Sequence, residues 1–310
     1  MPELPEVETV VRGLRRVLPG HAIVGVRLGK TDFIDDPVAL AESLPGRRIG
    51  GVQRVGKFID VELDPSEGPA ERAVPLHLIV HLGMTGRLVV CPASDPIPLH
   101  THVFFELDDG RELRYADSRR FGRMLVLPDA MIRAFHGKLG EEPLEIPAAE
   151  FRKRLAGRHA RIKALLLDQH VLRGIGNIYA DESLWKARIH PARSAAGLSA
   201  QRLDGLWRAI RDVLQGAIRS RGSSISDFVD AAGKPGEYQL RHRVYGREGE
   251  ACHRCGSRIR RVIVAGRSSH FCPRCQAPPR SGRKGSGKRP GVRALKMKGQ
   301  HHARRRATRS

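Results

Sequence analysis

The stretch THVFFELDDGRELRYA, residues 101–116, decides how the first part of the chain is read. HVFFEL (102–107) and ELRY (112–115) are rich in aromatic and apolar residues, and Asp109-Gly110 between them supplies the pair that tight hairpin turns prefer. Runs of the same kind recur on both sides: FIDVEL (58–63), LHLIVHL (76–82) and RMLVL (123–127). From about residue 21 to 127 the pattern predicts an antiparallel β-sandwich. Towards the N-terminus the period changes. Val7, Val10, Val11, Leu14, Val17 and Leu18 form one apolar stripe at helical spacing, and the proline and glutamates before them suit a helix start.

Towards the C-terminus, LGEEPLEIP (139–147) reads as a linker. ARIKALLLDQ (160–169) and IYADESLWKA (178–187) predict helices on either side of the turn RGIGN, with His190-Pro191 stopping the second. Ser199 can cap a third helix whose apolar face is Leu203, Leu206, Trp207, Ile210, Val213, Leu214 and Ala217. Residues 222–238 are rich in Gly and Ser and are expected to be mobile. The fold class expected is α+β and multidomain: a β-sandwich with its N-terminal helix over 1–137, a linker over 138–150, a helical domain over 151–245, a cysteine module over 246–276, and a disordered basic tail over 277–310.

Charge narrows the class of partner. The 55 Lys and Arg outnumber the 33 Asp and Glu, a net +22. Residues 277–310 hold twelve Lys or Arg and no acid, so +10 of the +22 remains on residues 1–276. A body that is basic without its tail implies a densely negative partner, with nucleic acid first and acidic proteins or plain solubility as the alternatives. Charges interrupt the N-terminus, so no signal peptide is expected. No apolar run approaches the roughly 18 residues of a membrane span. The expected location is the cytosol, where disulfides are disfavoured.

Five cysteines are present. Cys252, Cys255, Cys272 and Cys275 form two C-x2-C knuckles, a spacing that places four thiolates around one tetrahedral zinc at about 2.3 Å. Two disulfides or four free thiols are the alternatives. Such a site is closed and structural, with no metal-bound water for hydrolysis. The RIRRVIVAGRSSHF segment between the knuckles carries Arg258, Arg260, Arg261 and Arg267, which suits phosphate contact. Cys91 is expected to be a packed core thiol.

Pro2 follows the initiator Met. Once exposed, its secondary amine would be unprotonated more often than a lysine, because an α-amino pKa is about 7.7–8 against roughly 10.4. Such an amine attacking an aldehyde-level carbon gives an iminium, and Glu3 and Glu6 beside it can move protons. The alternative is that Pro and Glu simply begin a helix.

Read together, the segments carry a resemblance. MPELPEVETVVRGL (1–14), HLGMTGRL (81–88), RYADSRRFGRM (114–124), GIGNIYADESLW (174–185), VYGREGEAC (244–252) and the four-cysteine finger resemble, in the same order, bacterial formamidopyrimidine-DNA glycosylases. The resemblance spans roughly residues 1–276, and Leu4 separates it from the sister endonuclease VIII family, which usually has Gly there. It implies a β-sandwich, a helix–two-turn–helix domain and a zinc finger, acting as a monomer on double-stranded DNA that contains oxidised bases. The activity implied is that of a glycosylase for 8-oxoguanine and formamidopyrimidines which then cleaves the strand, with one structural zinc ion and no catalytic metal or organic cofactor. Pro2 matches the family's Schiff-base nucleophile, Glu3 its proton donor at the sugar, Lys57 a lysine serving elimination, and Arg267 the finger arginine that grips phosphate. Met84, Arg119 and Phe121 match three residues that fill the void left by a flipped base; ordinary core is the alternative for Met84 and Phe121. His100, Arg158 and Asn177 match further DNA contacts, and residues 222–238 a loop that caps the lesion. The enzyme is expected in the bacterial cytoplasm, associated with the nucleoid through DNA.

The sequence departs from the family pattern in places. Ser223-Ser224 replace two common threonines and GRSSHF a GRGTHF-like stretch, both keeping hydroxyls. DPSEGPAERAVP (64–75) is long, Arg173 stands where a small or apolar residue is frequent, and the basic tail is additional. An endonuclease VIII-like enzyme for oxidised pyrimidines and a non-enzymatic zinc protein binding damaged DNA are the competing expectations.

Overall fold

The computed structural model describes residues 1–65, 73–225 and 228–278. Helix α1 (Leu4–Leu14) starts where Glu6 Oε2 accepts the Glu3 amide at 2.9 Å, and Pro5 sits in the first turn, where a missing N–H costs nothing. Eight strands follow: β1 (Ile23–Leu28), β2 (Ile49–Val55), β3 (Phe58–Leu63), β4 (Leu76–His81), β5 (Arg87–Pro92), β6 (Thr101–Leu107), β7 (Arg111–Ala116) and β8 (Arg123–Pro128). They pair antiparallel in two sheets, β1-β6-β7-β5 and β2-β3-β4-β8. Val7, Val10, Val11 and Leu14 of α1 share one core with Ile59, Val61, Val103, Phe105 and Leu113 of the sheets. The β6–β7 hairpin turns at Gly110, whose φ of +81° is the conformation that Asp-Gly signalled.

Two helices interrupt the stretch read as strands. In α2 (Pro37–Ser43) the Asp36 carboxylate accepts the Ala39 amide at 2.9 Å, and only Leu40 is buried, so no apolar stripe marks it. Helix α3 (Asp129–Gly137) lays Ile132 and Phe135 on the outer face of the second sheet, against Ile79, Leu125 and Phe58. The long loop expected at 64–75 is held at its stems by buried Arg47, which donates to the carbonyls of Asp64 (3.2 Å) and Val74 (2.7 Å); residues 66–72 lie outside the described residues. Cys91 differs from expectation: on β5 it is half-buried and lines an open cavity rather than a core.

Helices α4 (Ala148–Leu155), α5 (Ile162–Leu167), α6 (Asn177–Lys186) and α7 (Ala200–Arg219) build a second core around Phe151, Leu166, Tyr179, Leu184 and Leu206. Leu4 of α1 belongs to this core as well. The Ser199 hydroxyl caps α7 by accepting the Arg202 amide. Helix α6 ends before His190-Pro191, because Arg188 adopts a left-handed φ of +56°. Helix α4 begins inside the stretch expected to be linker, and Ile146 and Glu142 of that stretch are buried. In the finger, β9 (Arg260–Val264) and β10 (Arg267–Phe271) join through Ala265-Gly266, both at positive φ, a two-residue hairpin turn.

The loop expected to be mobile is packed where it is described. Phe228 and Ala231 lie on the sandwich core, and Val90 donates its amide to the Ala231 carbonyl at 3.2 Å. Residues 226–227 of that loop, and residues 279–310 of the expected basic tail, lie outside the described residues. No helix among the described residues is long and apolar enough to cross a membrane.

Candidate active site

The turn into α6 is built around a buried carboxylate. Glu3 is 3 % exposed, and its oxygens accept the amides of Gly176 (2.9 Å), Ile178 (2.9 Å) and Tyr179 (3.3 Å). Glu3 thus occupies the anion position at a helix N-terminus. Leu4 donates its amide to the Gly174 carbonyl at 3.0 Å, which ties the chain start to this turn. Gly176 is required by contact: a Cβ there would lie 2.3 Å from the Glu3 carboxyl carbon. Burial pushes the Glu3 pKa up, while the Lys57 ammonium and the three amides pull it down.

Lys57 comes from the β2–β3 hairpin, next to Gly56 at φ +61°. It is buried, and burial pulls its pKa down; the Glu3 charge opposes that shift, and the Arg267 guanidinium adds to it. Arg267, at the start of β10 beside the finger turn, is exposed. His81 accepts the Gly83 amide on Nδ1 at 3.1 Å, and burial together with Lys57 pulls its pKa down to about 4, so it is neutral. Pro2 is buried and lines a cavity of about 40 Å³ with Met1, Glu6, Met84 and Ser223. Glu6 accepts the Tyr179 hydroxyl and the Ser223 amide (2.7 Å); burial and the neighbouring Glu3 push its pKa up to about 7. The Pro2 residue, two carboxyls able to hold protons and a lysine of depressed pKa within electrostatic reach of both carboxyls thus lie around the chain start, a set suited to imine formation and elimination once the Pro2 amine is exposed.

Of the other residues singled out from the sequence, Met84 lies in the β4–β5 turn and Arg119 and Phe121 in the β7–β8 loop. Met84 is 40 % exposed and Phe121 58 %, with the Arg119 guanidinium 4.5 Å over the Phe121 ring, so neither apolar side chain is core. His100 is exposed at a left-handed φ of +65° beside the same loops. Asn177 opens α6, and its Oδ1 is buried with no hydrogen-bond partner among the described residues. Arg158 is exposed beyond α4, and among the described residues its backbone bonds to Leu155 and Ala196, away from the others.

The four finger cysteines place their sulfurs within 4.8 Å of one another. A tetrahedral zinc with bonds of about 2.3 Å needs sulfurs about 3.8 Å apart, so the donor set fits one closed, all-thiolate structural site. Sequence reading missed how the finger is aimed. Buried Lys163 donates to the Ser268 carbonyl (2.8 Å) and the Ser269 hydroxyl (2.7 Å) and pairs with Asp181 (2.7 Å), which in turn accepts the His270 amide at 2.8 Å. This network fastens β10, and with it Arg267, to α5 and α6. Arg173 also finds a role: it shares Glu142 with Arg54, which reaches Glu8 of α1 at 2.9 Å, so the pairs bridge both cores.

Three family descriptions match the chain: the formamidopyrimidine-DNA glycosylase N-terminal domain over residues 1–124, the formamidopyrimidine-DNA glycosylase H2TH domain over 139–229, and the zinc finger found in FPG and IleRS over 249–278. The formamidopyrimidine-DNA glycosylase of Herpetosiphon aurantiacus is 46% identical over 282 residues, 89% of this chain and 100% of that protein. That of Pelotomaculum thermopropionicum is 47% identical, over 89% of this chain and 99% of its own. Among solved structures, the Lactococcus lactis Fpg bound to abasic-site DNA superposes with a TM-score of 0.81 at 34% identity, covering 89% of this chain and 100% of its own. A MutM complex with DNA containing carbocyclic 8-oxo-G gives 0.81 at 35%, with the same coverage. Two packed sheets, a carboxylate seated on the α6 N-terminus, a four-thiolate finger and these likenesses agree: the chain belongs to the formamidopyrimidine-DNA glycosylase family.

Proposed function

We propose that the chain removes oxidised purines, 8-oxoguanine and formamidopyrimidines, from duplex DNA and then cuts the backbone by successive β- and δ-elimination. The observation that carries this is Glu3, next to Pro2 in the chain and held by three amides at the α6 N-terminus, within electrostatic reach of Lys57, which in turn feels the Arg267 guanidinium. The family relatives solved with Fapy-dG, 8-oxo-G and abasic-site DNA support the substrate class.

Each residue then has a task. With Met1 removed, the Pro2 nitrogen attacks C1′ of the damaged nucleotide, and the base leaves with a proton. Glu3 donates a proton to the ring oxygen, opening the sugar as the iminium forms. Its buried position favours the protonated form this needs. The iminium acidifies the C2′ proton; once that is removed, the 3′ phosphate leaves, and the 5′ phosphate follows in a second elimination. Lys57 serves these proton transfers, and its depressed pKa makes it a better base at neutral pH than an ordinary lysine. Arg267 offsets phosphate charge. Met84 and Phe121 enter the gap left by the flipped base, and Arg119 bonds the base left unpaired. His100, Arg158 and Asn177 contact phosphates, residues 222–238 close over the lesion, and the structural zinc holds Arg267 in place without entering a chemical step.

The partner is double-stranded DNA bound by a monomer, and association with the nucleoid through that DNA is part of the same proposal. A 5′-labelled duplex with 8-oxoguanine opposite cytosine tests the reading: the expected product is a one-nucleotide gap with phosphate on both ends. Cutting confined to oxidised pyrimidines would favour an endonuclease VIII-like specificity, and binding without cutting would leave a non-enzymatic DNA-binding protein.

A further inference from the structure

The two loops that carry Met84, Arg119 and Phe121 are joined by one buried side chain. Asp117 is 1 % exposed. Its Oδ1 accepts the Thr85 hydroxyl at 2.5 Å and the Arg119 amide at 3.2 Å; its Oδ2 accepts the Gly122 amide at 2.9 Å and the Tyr115 hydroxyl at 3.1 Å. Thr85 follows Met84, and the two amides flank the segment that carries Arg119 and Phe121. The Asp117 amide in addition donates to the His100 carbonyl at 3.0 Å. Three DNA-facing turns therefore converge on a single residue.

The packing around it leaves no slack. A Cβ on Gly83 would lie 2.4 Å from the Phe121 backbone, and one on Gly122 would lie 1.8 Å from the Tyr115 hydroxyl. The Tyr115 pKa is pushed up by burial and by the Asp117 charge, so its hydroxyl remains a donor. Four donors facing one carboxylate form a fully satisfied buried centre. Such centres fix geometry when complete and are costly when one member is lost. Only an acceptor with no hydrogens of its own can meet all four: an asparagine amide would set an N–H₂ against two of the donors.

We propose that Asp117 is a positioning residue that makes the Met84 turn and the Arg119–Phe121 loop one rigid wedge, so that the three side chains enter the duplex together. The inference rests on the wedge reading of those three residues given above. A flexible pair of loops would pay the ordering of each side chain when the base is flipped; a locked pair has met that cost on folding. The locked backbone also holds Arg119 at the height from which it meets the unpaired base, so Asp117 acts on opposite-base discrimination without touching DNA.

The test uses full-length Thr85→Val, Thr85→Ser, Asp117→Asn and Met84→Ala proteins. Thr85→Val removes the hydroxyl that donates to Asp117 and accepts the Arg119 amide at 3.3 Å, and keeps the side-chain shape, so it folds even if Asp117→Asn does not. Two single-turnover rates are compared, 8-oxoguanine excision from duplex and cutting at a pre-formed abasic site, with excision measured opposite cytosine and opposite adenine. Loss of one hydrogen bond to a charged group corresponds to about tenfold. Thr85→Val is expected to slow duplex excision by about that factor, to leave abasic-site cutting within about twofold, and to narrow the cytosine-to-adenine ratio; Thr85→Ser restores all three. Equal losses on both substrates, or an unchanged opposite-base ratio, overturn the inference, since a merely structural role gives that result. If Met84→Ala impairs excision while Thr85→Val does not, Asp117 positions nothing and the wedge reading stands. If Met84→Ala leaves excision intact, the wedge reading itself fails.

Discussion

Replacing Gly176 by alanine probes the centre of the site without removing a reacting group. Gly176 has φ −127°, which any residue adopts, so the substitution carries no backbone strain. Its cost is contact alone: the new methyl would lie 2.3 Å from Glu3 Cδ, 2.5 Å from Oε1 and 2.7 Å from Cγ. Ordinary carbon contacts begin near 3.5 Å, so the carboxyl must move by about 1 Å. Glu3 is pinned by three amides, two of them at 2.9 Å, and a movement of that size lengthens at least two of these bonds beyond hydrogen-bond range. A misplacement of about 1 Å at a reacting group costs on the order of 100-fold in rate. Single-turnover excision of 8-oxoguanine by Gly176→Ala should therefore fall by about two orders of magnitude, with zinc content and affinity for undamaged duplex unchanged. Gly197→Ala, where no atom lies within 4 Å, is the matched control and should cut at the wild-type rate. A folded Gly176→Ala enzyme that excises at more than half the wild-type rate would refute the role given to the Glu3 seat.

Three further outcomes follow from the structure. His81 has its pKa lowered from about 6.5 to about 4, so the unfolded chain binds the extra proton in between and stability falls as pH drops through that window; His81→Asn should lose this dependence and be about 2 kcal/mol less destabilised at pH 5 relative to pH 7 by urea denaturation, and identical pH dependence in both proteins would contradict it. Cys272→Ser should lower zinc content and DNA affinity together while the circular dichroism of the sandwich persists, because the zinc supplies the finger's folding energy; full affinity in zinc-free protein would remove the finger from DNA binding. Gly205→Ala, in α7 with no atom within 4 Å, should stabilise by about 1 kcal/mol and raise the thermal midpoint by roughly 2–4 °C; a lowered midpoint would show that the helix tolerates no side chain there.

What could be read from the sequence was what local chemistry marks. Asp109-Gly110 identified the β6–β7 hairpin, Ser199 capped α7, and the cysteine spacing located the finger. Helix α2 was invisible because one buried leucine makes no stripe, and α3 because its contacts lie on the outer face of a sheet rather than in the main core. The reacting residues stood out through their place in long motifs, whereas the role of the groups that hold them did not, even for Asp117, which lies inside RYADSRRFGRM. Asp117, Lys163, Glu142 and Arg54 act through partners tens of residues away, or more than a hundred for Lys163 and Ser269, and nothing local distinguishes them from solvated surface charges. Arg173 likewise gained its meaning only from Glu142 across the linker. Glu6 was legible as a carboxyl near Pro2, but its pKa of about 7 comes from burial and the neighbouring Glu3 charge, which outweigh the hydrogen bonds from Tyr179 and Ser223 that pull it down.

Attack of the Pro2 nitrogen on the sugar leaves a covalent intermediate that reductive trapping followed by peptide mapping detects. The full-length enzyme is incubated with 8-oxoguanine duplex and borohydride, digested, and its N-terminal peptide examined by mass spectrometry. A reduced sugar adduct on Pro2 with Met1 absent is expected, and no trapping when the N-terminus carries an uncleaved extension. An adduct on Lys57, or full strand cutting by the extended protein, would contradict it.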